Sequence, residues 1–431
     1  MKAREVVLLL LIIAAGVVVH QVQEGNIPFV WDIDEGLLWN AQEFRFEETL
    51  TVAPPLPAAL LVENLRGEVE VQGGAADAVT IVFTKRIYRR TEEEAGAVAD
   101  RLRADLRREA DRVVLSVKRD ESKRRRAFET DLKILCPAAT AVTVVNSYGK
   151  VVADGLAALS VTNPHGEVRA GRVAGPLAVV NSYEDVEVLD CGGDATVESR
   201  HAGLTVRGVR GRLKIRHHYG PLKLEDVTGE VAIDGAHASV TAVDCPAGVG
   251  IVDSYEPIRL VRVGPVRIET RHADVEAEEV QGTCWIRSSH ARVRLDGVSG
   301  AVTIDGRNLA LTGRRLEGAG NEITTSYETV DLAGFDGGAV VRLSHGELIL
   351  APSALSGPIE VSAEYARVRL AWPPGERNPL EARSRGGRVR WSLDAPSRTE
   401  TNGAFILRAF EDAVGRPAVR LATTYEDIVI E

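Results

Sequence analysis

The stretch YEDVEVLDCGGDATVESRHAGLTVRGVRGRLKIRHHYGPL, residues 183–222, decides the fold. Tyr183, His201 and Tyr219 stand 18 residues apart, and the residues three and five places after them are Val186 and Val188, Leu204 and Val206, Leu222 and Leu224. Four places before the second and third markers come Val197 and Ile215. Apolar residues at i and i+2 are the period of a strand, whose intervening side chains point the other way. Each unit therefore reads as two short strands with one apolar face apiece. Gly193 and Gly211, eight places before a marker, fall between the strands, where the missing Cβ permits a tight corner or close backbone approach.

The unit recurs outward in both directions, from Val142 to Leu370. Its markers are Tyr148, His165, Tyr183, His201, Tyr219, His237, Tyr255, His272, His290, Asn308, Tyr327, His345 and Tyr365, mostly 17 to 19 apart with a last gap of 20. One repeat cannot bury its apolar side alone, whereas stacked repeats share a continuous core. The expected fold is all-β: a single-stranded β-solenoid (β-helix) of about 18-residue rungs, with a small α+β N-terminal cap. Successive rungs would pair in parallel about 4.8 Å apart, giving a rod roughly 60 Å long. A sandwich or barrel of hairpins has no reason to keep one offset through so many units. The Tyr/His alternation from 148 to 272 leaves open whether one coil takes 18 residues or a double unit.

The flanks divide the chain further. Lys2 and Arg4 precede an apolar run, Val6 to Val19, which reads as a secretory signal or a short signal anchor. The run is shorter than the ~20 residues of an ordinary span unless extended through Val22. No small-x-small cleavage site follows, so a membrane anchor at residues 1–23 is expected in preference to a cleaved signal. The expected location is the cell envelope, membrane-anchored with an extracytoplasmic domain, or secreted or periplasmic after cleavage. Residues 24–58 read as a tether with first cap strands, and 59–135 as the α+β cap with one amphipathic helix. Residues 136–431 read as the solenoid, with irregular last rungs from 371.

Within the cap, Leu61, Leu65, Gly67, Val69 and Val71 repeat the rung pattern faintly. Thr91 with Glu94 forms a capping box, and Ala95, Val98, Leu102 and Leu106 form one helical stripe. Near the other end, Trp372-Pro373-Pro374 breaks the register, Arg385 to Leu393 and Ala404 to Arg408 read as irregular rungs, and Tyr425 to Ile430 restores the motif.

The net charge is −10 and the arginines are interleaved with acids, so nucleic acid is excluded as a partner. Cys191 and Cys245 lie three rungs apart, about 14 Å by strand spacing and beyond disulfide reach. The four cysteines are expected free and buried.

Gly67-Glu68-Val69-Glu70-Val71, the strand–helix–strand around Thr91 to Leu106, Asn146-Ser147-Tyr148-Gly149 and Asn181-Ser182-Tyr183-Glu184-Asp185-Val186 carry a resemblance. Over roughly residues 55 to 431 the chain resembles the bacterial putative-adhesin family catalogued as domain of unknown function 4097. The resemblance implies an exported or membrane-tethered β-helical domain, and it brings no catalytic residues with it. The His-rich alternation and the insertion around Trp372 depart from that family's pattern.

Chemistry-bearing clusters are sparse. Most of the nine histidines sit at or near markers, and alternation with Tyr places most of them about 10 Å apart, too far to share one zinc ion. His272 and His290 occupy neighbouring markers without a Cys or carboxylate in a matching position, so no metal is expected. Glycoside cleavage needs two carboxylates about 5 to 9.5 Å apart. Asp185, Glu187, Asp274, Glu276 and Asp331 point outward, but Arg292, Arg294, Arg367 and Arg369 share their offsets, which reads as a solvated face. Nucleophile elbows, zinc-protease helices and phosphate loops are absent from the sequence. The expectation is a non-enzymatic, adhesin-like or envelope scaffold and binding domain with no catalytic, cofactor or metal site. Its expected partners are the membrane, through the N-terminal hydrophobic segment, and an envelope protein or glycan. The alternative is a carbohydrate-active β-helix enzyme, a glycoside hydrolase or lyase.

Overall fold

The computed structural model describes residues 31, 32, 36, 37, 41–118, 128–336, 338–393, 395, 397–401 and 403–431. Apart from one short helix these residues form strands and turns, and the fold is a parallel β-solenoid. The chain divides into two compact units, Met1–Val168 and Arg169–Glu431.

In Met1–Val168 the strand Ala59–Glu63 pairs in parallel with Arg112–Lys118 on one side and Ala141–Val145 on the other. Val69–Gly74 pairs likewise with Phe128–Pro137 and Val151–Asp154. Residues 59–74 are thus a rung in which Val69 and Val71 are buried as expected, but the first strand buries Leu60 and Val62 rather than Leu61, and Leu65 is exposed. The inward positions lie one place before Leu61, set by register with Val142 and Val144. The cap adds antiparallel strands, Gln42–Val52 on Val79–Arg89 and Val79–Arg89 on Phe128–Pro137. Thr91 caps the helix Glu92–Ala99 by accepting the Glu94 N–H at 3.3 Å. Ala95, Ala99 and Leu102 bury against Ile87 and Phe128, with Phe44, Phe46 and Val98 packed around them. The helix is shorter than the stripe predicts, because Leu106 lies on the strand Arg103–Arg108, paired antiparallel with Arg112–Lys118.

In Arg169–Glu431 equivalent strands pair in parallel one unit apart. One buried column runs Val186, Leu204, Leu222, Val240, Ile258, Val275, Val293, Leu311, Val330, Leu348 and Val368 in unbroken register. A second runs Val197, Ile215, Ile233, Ile251, Ile268, Ile286 and Ile304 on the facing strands. Because Val186 meets Leu204, one coil takes 18 residues and the double-unit alternative falls. Each such side chain is almost fully buried, and burial of one Val, Leu or Ile contributes about 1.5–3 kcal/mol. The glycine column answers to proximity: a Cβ on Gly211 would stand 2.4 Å from the backbone of Gly193.

The C-terminal rungs are out of sequence order. Ile359–Leu370 pairs directly with Val419–Thr424 and Ile428–Ile430, skipping the intervening residues. Leu380–Arg385 and Val389–Trp391 then pair on the far side of those C-terminal strands. Phe405–Ala409, expected as part of a rung, instead runs antiparallel between Leu380–Arg385 and Ser397–Thr401. An antiparallel hairpin suits this place because it occupies the open edge of a parallel stack. Trp372, Trp391 and Phe410 pack together there, with ring centroids 5.6–6.3 Å apart.

The membrane expectations are corrected. Among the described residues no helix is long and apolar enough to cross a membrane. The described residues thus supply no span for the expected transmembrane segment, for the membrane as a partner or for the membrane-anchored location. The run Val6 to Val19 on which they rested lies outside the described residues.

Candidate functional site

The marker residues turn the corner between the two strands of each coil. His201, Tyr219, His237, Tyr255, His272, His290, Asn308, Tyr327, His345, Tyr365 and Tyr425 all have φ between 50° and 78°. A left-handed residue at each of these corners throws its side chain out at the same place, and equal offsets stack the side chains. In Met1–Val168 the Arg66 guanidinium lies 5.8 Å from the Tyr148 ring centroid, and Tyr148 stacks on His165 at 4.7 Å. In Arg169–Glu431 stacking runs without a break from Tyr183 to His290, at centroid spacings of 4.6–5.8 Å. It resumes from Tyr327 through His345 and Tyr365 to Tyr425 at 4.7–5.0 Å. Strand pairing near 4.8 Å thus sets a ring spacing suited to offset stacking. The tyrosines remain about half exposed, so the ladder is a surface.

Tyr219→Asn keeps a residue that tolerates positive φ and removes one ring stacked on both sides. It is expected to cost about 1 kcal/mol of stability, read from urea unfolding, as for other aromatic pairs.

Two places before the markers lies a column that sequence reading missed. Asn146 and Asn163 occupy it in the first unit, and Asn181, Ser199, His217, Gly235, Asp253, Thr270 and Ser288 in the second. All but Gly235 are buried. The donors bond the carbonyl one place after the marker: Asn163 Nδ2 donates to Gly166 O at 3.0 Å, and His217 Nε2 lies 3.3 Å from Gly220 O. Burial lowers the His217 pKa. Burial pushes the Asp253 carboxyl up to about 6, although Oδ1 accepts the Ser254 N–H at 2.7 Å. Asn recurs at 146, 163 and 181, but beyond it the residue types change from coil to coil, and only their shared offset marks the column.

The acids weighed for catalysis are distributed along the outer faces. Asp185 accepts the Gly203 N–H at 2.8 Å, and Glu187 pairs with Arg169 at 3.2 Å. Asp274 pairs with Arg292 at 2.8 Å, Glu276 with Arg259 at 2.5 Å, and Asp331 with Arg314 at 2.5 Å. Burial raises the Asp274 pKa, but the Arg292 N–H and guanidinium outweigh it and hold the carboxyl below its usual range. His272 and His290 stack at 4.9 Å, and no group of three metal-ligating side chains occurs among the described residues. All four cysteines are free and buried, and burial pushes the thiols of Cys245 and Cys284 up to about 11 and about 12.

The stack is interrupted at Asn308. An open cleft of about 780 Å³ lies there, lined by His290, Asn308, Tyr327, Asp274, Arg292 and Glu328 among others.

Fold and ladder together define a parallel β-solenoid with a stacked aromatic corner. No protein-family model matches the chain, so the likeness to domain of unknown function 4097 gains no support, and no curated protein matches it. Among solved structures the chain is similar to a putative cell adhesion protein from Clostridium sporogenes ATCC 15579, at 8% identity, over 90% of this chain and 99% of that one. The TM-score of 0.23 is too low to carry an inference.

Proposed function

We propose that this chain is a non-catalytic recognition and scaffold domain that holds an elongated partner, a glycan or a protein, along its aromatic ladder. The observation that carries this reading is the run of parallel, half-exposed Tyr and His rings repeated at coil spacing. Such a surface offers π faces and polar edges at a fixed interval, which suits a partner that itself repeats. The pairing of outer carboxylates with arginines supports binding over hydrolysis, since it leaves those acids engaged as counterions.

The test uses the full chain against immobilised polysaccharides and an extended-peptide panel, with reducing-end release measured on the same samples. Binding without turnover is expected. Combining Tyr183→Asn, Tyr219→Asn and Tyr255→Asn should weaken that binding at least tenfold while the far-ultraviolet dichroism stays that of the parent. Turnover abolished by one acid-to-amide change would replace this reading with the carbohydrate-active one.

A further inference from the structure

Asn308 is the one marker between Tyr183 and Tyr425 that carries no ring. The coil is otherwise intact there: Cys284–Val298 pairs with Val302–Leu316 through the corner in continuous register. The Asn308 backbone keeps the left-handed turn at φ 50°, and its N–H donates to Ser326 Oγ at 3.4 Å. What is missing is one rung of the aromatic stack, and no collapse of the fold closes it.

The rings above and below are both held from behind. His290 stacks on His272 at 4.9 Å, and Tyr327 stacks on His345 at 4.7 Å. Each therefore presents its other face toward the level of Asn308. Tyr327, at 63%, is the most exposed tyrosine of the ladder, as an uncovered face requires. The two faces are separated by two strand spacings, about 9.6 Å. The cleft of about 780 Å³ between them falls in the size range of small-ligand sites.

We infer that this gap is a slot for one pyranose ring of a glycan chain, sandwiched between His290 and Tyr327. Thickness decides the ligand class. A flat aromatic in contact with both faces at about 3.5 Å would need a gap of only about 7 Å, and would sit loosely here. A pyranose chair, with C–H bonds projecting above and below its mean plane, is thicker and meets both π faces. Its equatorial hydroxyls leave in the plane of the ring, toward the rim where Asn308, Arg292 and Glu328 stand. The Asn308 amide offers two donors and an acceptor, and its side chain has no hydrogen-bond partner among the described residues. Arg292, held by Asp274 at 2.8 Å, adds a guanidinium fixed in place at the same rim.

This assignment rests on the ladder as a recognition face and narrows its partner to a glycan. The experiment is calorimetric titration of the full chain with three probes: a cello-oligosaccharide, a chito-oligosaccharide and indole. The variants are Asn308→Tyr, which completes the stack, and Asn308→Ala, which keeps the gap and removes the amide. One oligosaccharide should bind the parent. Asn308→Tyr should weaken it at least tenfold with unchanged or raised thermal stability, and Asn308→Ala by less than tenfold. Indole binding with neither sugar bound would overturn the pyranose assignment, and so would the absence of binding by all three probes. Sugar binding undiminished in Asn308→Tyr would overturn the slot while leaving the recognition face standing. Sugar cleavage by the parent, with binding lost in Asn308→Tyr, would overturn the non-catalytic reading and uphold the slot.

Discussion

Asp253→Asn is expected to stabilise the protein by about 3 kcal/mol at pH 7.5 and to leave stability unchanged at pH 3.5. Asp253 is only 4% exposed and occupies the interior polar column, where Asn146 and Asn163 donate amide hydrogens to the carbonyl following the marker. A carboxylate has no hydrogen to donate, and Asp253 Oδ2 is left without a partner. Burial accordingly raises the carboxyl pKa from 3.8 to about 6. The sign follows from linkage: a group with a raised folded pKa contributes fully below its unfolded value, and that contribution is lost as pH rises through the folded one. Below pH ~3.8 both states are protonated and there is no cost; above pH ~6 the folded chain holds a charge in a desolvated place. Two pKa units correspond to about 3 kcal/mol. An Asn at 253 would be neutral throughout and would place a donor where its column equivalents have one. Urea unfolding of parent and variant at the two pH values measures the difference directly. An equal difference at both would mean that the carboxyl is not the titrating group.

The architecture was legible because coil geometry forces one offset on every unit, and Val186, Leu204 and Leu222 announce it by residue type alone. The 18-residue coil needed only the pairing of Val186 with Leu204 to displace its double-length alternative. Other features carry no local signal. The insertion of Val419–Thr424 between Ile359–Leu370 and Leu380–Arg385 depends on which strands meet, and parallel pairing leaves no mark on a short apolar strand. The helical spacing of Leu106 with Leu102 was overridden by antiparallel pairing to Leu115. At the site, the Tyr and His markers were visible in sequence. The cleft was not, because Asn308 reads as one irregular letter until the rings on either side are seen to stack away from it. The inner column escaped for the opposite reason: after Asn146, Asn163 and Asn181 its members share a place and change type from coil to coil.

Gly229→Val should cost more than about 4 kcal/mol, whereas Gly250→Val, its direct comparison, should cost nothing. Both glycines have ordinary backbone conformations, so positive φ enters neither case. They differ in what a side chain would meet. A Cβ on Gly229 would stand 2.0 Å from Gly211 O and 2.3 Å from Gly211 C, atoms of the preceding coil that cannot rotate away. Relief requires the two coils to part at that corner, where the Thr228 N–H donates to Val209 O at 2.9 Å and the Leu213 N–H to Glu230 O at 2.9 Å. Lost ladder hydrogen bonds and opened packing between Leu213 and Val231 then add to one another. On Gly250, in the strand Val249–Val252, the nearest atom is Val231 O at 3.7 Å, an ordinary contact. There a β-branched residue suits the strand and reduces unfolded-chain entropy, for a gain of about 0.5 kcal/mol. Each coil touches its neighbours only, so the damage from Gly229→Val should centre on the coils bearing Tyr219 and His237, whose rings stand 5.1 Å apart. Hydrogen exchange would localise it: protection lost around residues 209–231 and retained around 339–370 is the expected pattern. Uniform loss along the chain would show that the stack melts as one cooperative body, and equal unfolding midpoints for the two variants would remove close backbone approach as the reason for the glycine column.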